Sequence, residues 1–254
     1  MWDRLSACRF PYVDRLEAYA TFTLTGWKPI LAHDFPSAAM TDDLQAAREV
    51  MVLRHLMHRG IRDPRVIDAM RKVPRERFVP PSEQDRAYAD QALPVDCGQT
   101  ISQPYIVALM TEALGLQGEE RVLEVGTGTG YQTAVLAELA REVVTIERHA
   151  ELSEKAMRVL DELGYGNIEA RVGDGTLGCP DRAPFDAVIV TAAASHCPPA
   201  LFEQVREGGV VVIPIGGRGV QTLEAIRKVD AAPRSESLSG CRFVPLIGAQ
   251  GWPR

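Results

Sequence analysis

The chain contains no run of about 18 apolar residues, which argues against a helix spanning a bilayer. Its five cysteines, Cys8, Cys97, Cys179, Cys197 and Cys241, are scattered and form no C-x-x-C pair. Neither a disulfide framework nor a zinc site fits that pattern, and a reducing, cytoplasmic compartment suits it best. The five histidines, His33, His55, His58, His149 and His196, have no metal-ligand spacing, so no bound metal is expected. There is no basic excess: Lys plus Arg is 28 against 34 for Asp plus Glu, a net charge of −6. Phosphate contacts need clustered cations, so a nucleic-acid partner is not expected, and no membrane partner is either. The first residues also lack the apolar stretch of a signal peptide, because Asp3, Arg4, Arg9, Asp14 and Arg15 interrupt it. Ser195 lies outside any G-x-S-x-G setting, which removes the usual hydrolase nucleophile.

What is present is a large apolar fraction, 46% of 254 residues, enough to bury a sizeable core. Residues 1–39 stand apart. They hold seven of the sixteen aromatics (Trp2, Phe10, Tyr12, Tyr19, Phe22, Trp27 and Phe35) without a helical or strand period. A docked arm, a disordered tail, or sequence upstream of a true start at Met40 would each account for them. From Thr41 onward the pattern is regular. Residues 42–59 read as a helix with Leu44, Ala47, Met51 and Leu53 among its apolar positions. Asp63-Pro64 caps a second helix, residues 73–102 are turn-rich, and Gln103-Pro104 opens a third helix. Alternating strands and helices follow: strands at 121–125, 143–147, 168–172, 185–191 and 210–214, helices at 130–140 and 149–163. Near-continuous apolar strands in βαβ order predict a parallel sheet covered on both faces. Residues 220–229 and 241–248 read as a closing antiparallel pair at one edge.

The first strand runs into Gly126-Thr-Gly128-Thr-Gly130-Tyr131. Glycine allows close approach of a ligand to the backbone, and the helix that follows offers free N–H groups. A dinucleotide fingerprint would read G-x-G-x-x-G. The third glycine here comes one residue early, a form that resembles the S-adenosylmethionine loop of Rossmann-like methyltransferases. Glu147 closes the second strand 21 residues after Gly126, a spacing at which an acid can accept hydrogen bonds from ribose hydroxyls. Asp174-Gly175 follows the third strand, where an adenine amino group would lie. Alone, each feature has a plainer reading: a tight turn, a solvated strand end, a loop. Together they fall at the carboxyl ends of successive parallel strands, where such sheets bind ligands.

Upstream lies Gly98-Gln-Thr-Ile-Ser-Gln-Pro104. This run resembles the signature of protein-L-isoaspartate O-methyltransferases. Further segments match in order: Val73-Pro-Arg-Glu-Arg-Phe-Val79, Leu123 to Gln132, Gly173-Asp-Gly175, Ala183 to Ala193, Pro214-Ile-Gly216, Gln221 and Arg242-Phe-Val-Pro-Leu246. The resemblance covers roughly residues 41–248. It departs at Asp96-Cys97, where many members have a glycine. It implies a Rossmann-like α/β sheet with helices on both faces and an N-terminal helical cap. In domain terms, 1–39 is an extension and 40–254 the methyltransferase domain, with cap and substrate loop in 40–117 and the cofactor-binding sheet in 118–254. It further implies methyl transfer from S-adenosylmethionine to the α-carboxylate of L-isoaspartyl residues in damaged proteins and peptides, by a cytoplasmic enzyme expected to be a monomer. Ser102 would orient the carboxylate. Gln99, Thr100, Ile101, Glu124, Gly126, Gly128, Gly130, Glu147, Asp174, Gly175 and Gln221 would bind the cofactor. On spacing alone, Ser102 reads first as a cap for the helix beginning at Pro104, and the resemblance reverses that order. Two rivals stand beside this reading. An amine-directed nucleic-acid methyltransferase would show an Asn- or Asp-Pro-Pro-Tyr segment where Thr191-Ala-Ala-Ala194 stands. A cofactor-binding module without chemistry would bind S-adenosylmethionine without turnover.

Overall fold

The computed structural model describes residues 37–253, with side chains from residue 43 onward. The aromatic segment read over residues 2–35 lies outside the described residues. The apolar spacing over 42–59 becomes a helical rod of changing pitch. Helix α1 (Ser37–Val50) continues into a π-helical segment, Met51–Leu56, and a 3-10 turn, Met57–Arg59. The chain then leaves through Gly60 in the left-handed conformation. In the wider π turn, residues five apart share a face. Met51 and Leu56 therefore both reach the core with Val52, while Leu53 is left 48% exposed. Leu53, one of the apolar positions the sequence offers for this helix, is thus not part of the core.

Helix α2 (Pro64–Lys72) starts as expected, with the Asp63 carboxylate accepting from the Arg65 amide at 2.8 Å. Two 3-10 segments, Arg75–Phe78 and Pro81–Arg86, lead to a small antiparallel hairpin of β1 (Leu93–Pro94) and β2 (Thr100–Ile101). Its turn, Asp96–Gly98, holds Cys97 at φ 56°. Helix α3 (Pro104–Leu114) buries Ile106, Val107, Met110 and Leu114.

The sheet follows as β3 (Arg121–Val125), α4 (Tyr131–Ala137), β4 (Glu142–Glu147), α5 (Ala150–Glu162), β5 (Ile168–Val172), β6 (Phe185–Val190), α6 (Pro199–Glu203), β7 (Val205–Gly216), β8 (Gln221–Val229) and β9 (Ala232–Cys241). The strand order is β5-β4-β3-β6-β7-β8-β9. The first five strands in this order are mutually parallel, and β8 and β9 are antiparallel additions. Successive side chains of a strand point to opposite faces. Val122, Val143, Ile189 and Val212 accordingly enter one apolar cluster, with the α2, α3 and α4 side chains. Leu123, Val144, Val188 and Val211 enter the other. This is the Rossmann-like sheet the sequence predicts.

The closing edge differs from the sequence reading. The partner of β8 is β9, residues 232–241, joined by a tight turn with Asp230 and Ala231 at positive φ. The Glu207 carboxylate accepts from both of their amides, at 2.6 and 3.0 Å. Strand β9 is an exposed polar edge, so no apolar alternation announces it. The apolar 243–247 stretch instead crosses the carboxyl ends of the strands. There the Ala193 amide donates to Val244 O (2.8 Å) and the Leu246 amide to Ala193 O (2.7 Å).

The order β5-β4-β3-β6 places a crevice at the end of β3. The chain moves outward from β3 to β4 and β5, then returns to the opposite side of β3 with β6. Ligands bind at such switch points because two loops diverge there.

Candidate active site

A cavity of about 270 Å³ occupies that crevice. Its floor is the loop after β3. The Gly126 amide donates to Ile146 O at 2.8 Å, and Gly126 takes φ 98°. A Cβ at Gly126 would stand 2.3 Å from Thr191 Oγ1, and one at Gly175 would stand 2.5 Å from Val125 Cγ1. Both glycines thus leave room that any other residue would fill. Glu147, at the end of β4, lines the cavity and is only 6% exposed. Its Oε2 accepts from the Gly128 amide (3.0 Å) and its Oε1 from the His149 amide (3.0 Å). Each carboxylate oxygen carries two lone pairs, so one on each remains for a pair of adjacent hydroxyls. Gln99 and Thr100 close the cavity from the hairpin side, and Val244 to Ile247 from the C-terminal side.

Two further cavities meet this region. A narrow one of about 50 Å³ runs between the glycine loop and Ile101-Ser102. Another of about 230 Å³ lies beyond, bounded by Ser102, Gln103, Ile106 and the Gly240–Phe243 stretch. Ser102 borders both, and Thr100 borders all three. Among the described residues the Ser102 hydroxyl makes no hydrogen bond. The N-cap of α3 is Gln103, with no side-chain cap bond. The capping role that spacing alone favoured for Ser102 is therefore absent, and its hydroxyl is free for a ligand.

Of the twelve residues named from the sequence, eight border these cavities: Gln99, Thr100, Ile101, Ser102, Gly126, Gly128, Glu147 and Gly175. Four do not. Glu124 is fully buried beneath the loop, where its Oε2 accepts from Thr133 and Thr145 hydroxyls, each at 2.6 Å, and its Oε1 has no partner. Gly130 begins α4 against α5, where a Cβ would press on Ala156 at 3.1 Å. Asp174 caps the turn after β5. Its Oδ1 accepts from the Thr176 amide and hydroxyl, and its Oδ2 from the Ala249 amide at 2.7 Å. Burial raises the Asp174 carboxyl, but these bonds outweigh burial and hold it below the usual carboxylate range. Gln221 is buried, donating to Gly217 O at 2.7 Å and accepting from the Phe243 amide at 2.9 Å. It orders the segment that carries Val244 to Ile247.

The sequence reading missed the Val244–Ile247 wall, although the R-F-V-P-L run was visible, because apolar β-branched residues had been assigned to a strand. It also missed Arg75, whose guanidinium donates to Ser102 O at 2.8 Å. No cluster of His, Cys, Asp and Glu among the described residues is arranged to hold a metal, and no described helix is long and apolar enough to cross a membrane.

Burial pushes the Glu124 carboxyl from the usual 4.5 up to about 8, partly offset by the Thr133 and Thr145 bonds. At neutral pH it is protonated in the folded chain and ionised in the unfolded one. The folded state then binds more protons, so its stability is greatest below about pH 4.5 on this account and falls as pH rises towards about 8. One such group gives a slope of up to about 1.4 kcal/mol per pH unit. Glu124→Gln is expected to flatten the decline in thermal midpoint between pH 5 and 8. Parallel midpoint curves for variant and wild type would refute the assignment.

A parallel sheet of this order, with a glycine loop after β3 and an acid closing β4, is the architecture of S-adenosylmethionine-dependent methyltransferases. The family described as protein-L-isoaspartate(D-aspartate) O-methyltransferase matches residues 47–251. The chain belongs to this family. It is 50% identical over 216 residues to the protein-L-isoaspartate O-methyltransferase of Syntrophus aciditrophicus, covering 84% of this chain and 99% of the relative. It is 57% identical over 197 residues to that of Dictyoglomus turgidum, covering 78% and 90%. Among solved structures, a protein-L-isoaspartate O-methyltransferase superposes with a TM-score of 0.72 at 32% identity, covering 80% of this chain and 67% of the other. A Plasmodium falciparum beta-aspartate methyltransferase, in complex with S-adenosyl-L-homocysteine, superposes with a TM-score of 0.69 at 25% identity, covering 80% and 98%.

Proposed function

We propose that the protein uses S-adenosylmethionine to esterify the α-carboxylate of L-isoaspartyl residues in damaged proteins and peptides, which starts their return to aspartyl through a succinimide. The observation that carries this reading is the uncommitted Ser102 hydroxyl, on a residue that borders both the narrow passage and the larger cavity beyond it. The donor set suits the cofactor. Gly126 and Gly175 leave a cradle that a Cβ would fill. Glu147 keeps one acceptor site on each oxygen for the ribose hydroxyls, and Gln99, Thr100 and Gly128 line the same cavity. Asp174 retains one lone pair on Oδ2 for an adenine amino group. Glu124, Gly130 and Gln221 support this wall from behind.

When bound, the cofactor supplies a methyl carbon made electrophilic by a sulfonium. A carboxylate is already ionised at neutral pH, so no general base is needed. The task left to the protein is placement. Ser102 donates to one carboxylate oxygen, leaving the other free to attack through the narrow passage beside Ile101. The cavity lined by Gln103, Ile106 and Phe243 takes the peptide on the far side. Residues 40–117 thus act as cap and substrate loop on the cofactor-binding sheet of 118–254, one chain sufficing as a cytoplasmic monomer that needs no nucleic acid or membrane.

Two peptides differing only in Asp or isoAsp, incubated with labelled S-adenosylmethionine, test the proposal. Base-labile methyl ester on the isoAsp peptide alone is expected. Label on neither peptide, with cofactor bound, would reject it.

A further inference from the structure

Arg75 is completely buried, yet no carboxylate lies within ion-pair distance of it among the described residues. The contrast with Arg48 is direct, since that guanidinium, with its side chain 17% exposed, pairs with Glu76. Arg75 Nε donates to Ala87 O at 2.7 Å and Nη2 to Ser102 O at 2.8 Å. Its guanidinium sits 4.8 Å from the centroid of the Tyr131 ring, the residue that ends the glycine loop. Nη1 has no acceptor at all. Carbonyl oxygens and a ring face soften the loss of water but leave a whole positive charge uncompensated, and an unpaired buried charge is costly. A sequence that only needed to fill this space could do so with an apolar side chain.

The place of that charge gives it a use. It is fixed one carbonyl away from Ser102, whose hydroxyl faces the cavities. We propose that Arg75 is a positioning residue for the acceptor, and that the α-carboxylate of the isoaspartyl substrate is its missing counter-ion. The inference rests on the isoaspartyl reading above. Arg75 does not touch the substrate. It locks the Ser102 backbone and raises the positive potential where the carboxylate docks, on the order of 6–8 Å away across one residue and one hydrogen bond. At such a distance, in a site poor in water, a unit charge changes anion affinity by about ten-fold or more. Methylation neutralises the acceptor, so the attraction is lost with the ester and product release is favoured. The phenols facing Arg75, Tyr88 and Tyr131, are both held neutral by burial, so the positive charge is not cancelled from the protein side.

The test separates charge from packing. An isoaspartyl peptide and the same peptide with an α-carboxamide are compared as ligands of wild type, Arg75→Lys and Arg75→Met. Arg75→Met is expected to weaken the carboxylate peptide about ten-fold or more and the carboxamide peptide less than two-fold. Arg75→Lys is expected to recover most of that affinity with a lower kcat. Equal losses for both peptides would mean a purely structural role and would overturn the proposal, as would no loss. Should Arg75→Met not fold, Ser102→Ala supplies the decision: its preference for carboxylate over carboxamide must persist if the buried charge generates it, and equal binding overturns the proposal. Wild type that methylates no isoaspartyl peptide would instead sink the function itself, a distinct result.

Discussion

Ser102→Ala is expected to lower kcat for isoaspartyl peptides by roughly 10- to 100-fold while leaving the affinity for S-adenosylhomocysteine within about two-fold. The reasoning starts from what the hydroxyl does without substrate. Among the described residues it neither caps α3 nor bonds elsewhere in the protein, so its removal leaves no buried partner unsatisfied. The expected loss in stability is small. Its position bordering both the narrow passage and the larger cavity places this donor where an incoming carboxylate would pass. A single preorganised donor in a catalytic site is worth about 10²–10³ in rate where charge builds up in the transition state. Here the carboxylate is charged from the outset and loses charge on reaction, so orientation is the larger part and the expected loss falls below that range. Threonine should recover part of the rate if its methyl group fits. Steady-state kinetics and calorimetry on the same preparations decide the matter, and a variant with unchanged kcat would remove Ser102 from the mechanism.

Gly126→Ala is expected to abolish cofactor binding at concentrations that saturate wild type, and to cost about 2–4 kcal/mol of stability. Two effects add. The backbone at φ 98° lies where an L side chain is strained by about 1–3 kcal/mol. The new Cβ would also stand 2.3 Å from Thr191 Oγ1. That hydroxyl cannot swing away cheaply, because it donates to Gly126 O at 2.7 Å and reaches Val125 O at 3.1 Å. Relief requires moving either β6 or the loop, and the loop is the cavity floor. Gly128→Ala is the contrast. At φ 55°, with nothing within 4 Å of a built Cβ, it should cost only about 1–2 kcal/mol. Thermal denaturation of the pair measures the difference. Equal midpoints would show that the Thr191 contact does not restrain the loop.

Much of this protein was legible before its structure. The G-x-G-x-G run, the acid closing the second strand and the G-Q-T-I-S-Q-P segment all act through local backbone form or through a side chain at a strand end. Periodicity and spacing report those directly. The parallel strands were equally plain, because a strand buried on both faces must be almost wholly apolar. What escaped notice was whatever lacked a local signal. The edge strand β9 is polar and exposed. The 243–247 stretch is apolar and β-branched like a strand, yet it crosses the strand ends. The π turn at Met51–Leu56 shifts which residues face inward, and no ordinary helical period anticipates it.

The sequence by itself determined the class of sheet, the family, the glycine loop and the serine that borders the cavities, because each is written in contiguous residues with a fixed spacing. Only the tertiary structure decided what the charged and polar residues of those same motifs do. It placed Glu124 under the loop with one oxygen unpaired, turned Asp174 and Gln221 into ties for the C-terminal segment, and brought Arg75 against a carbonyl 27 residues away. Burial, counter-ions and hydrogen-bond partners arise from segments distant in the chain, and the cost of a buried charge depends on all of them at once.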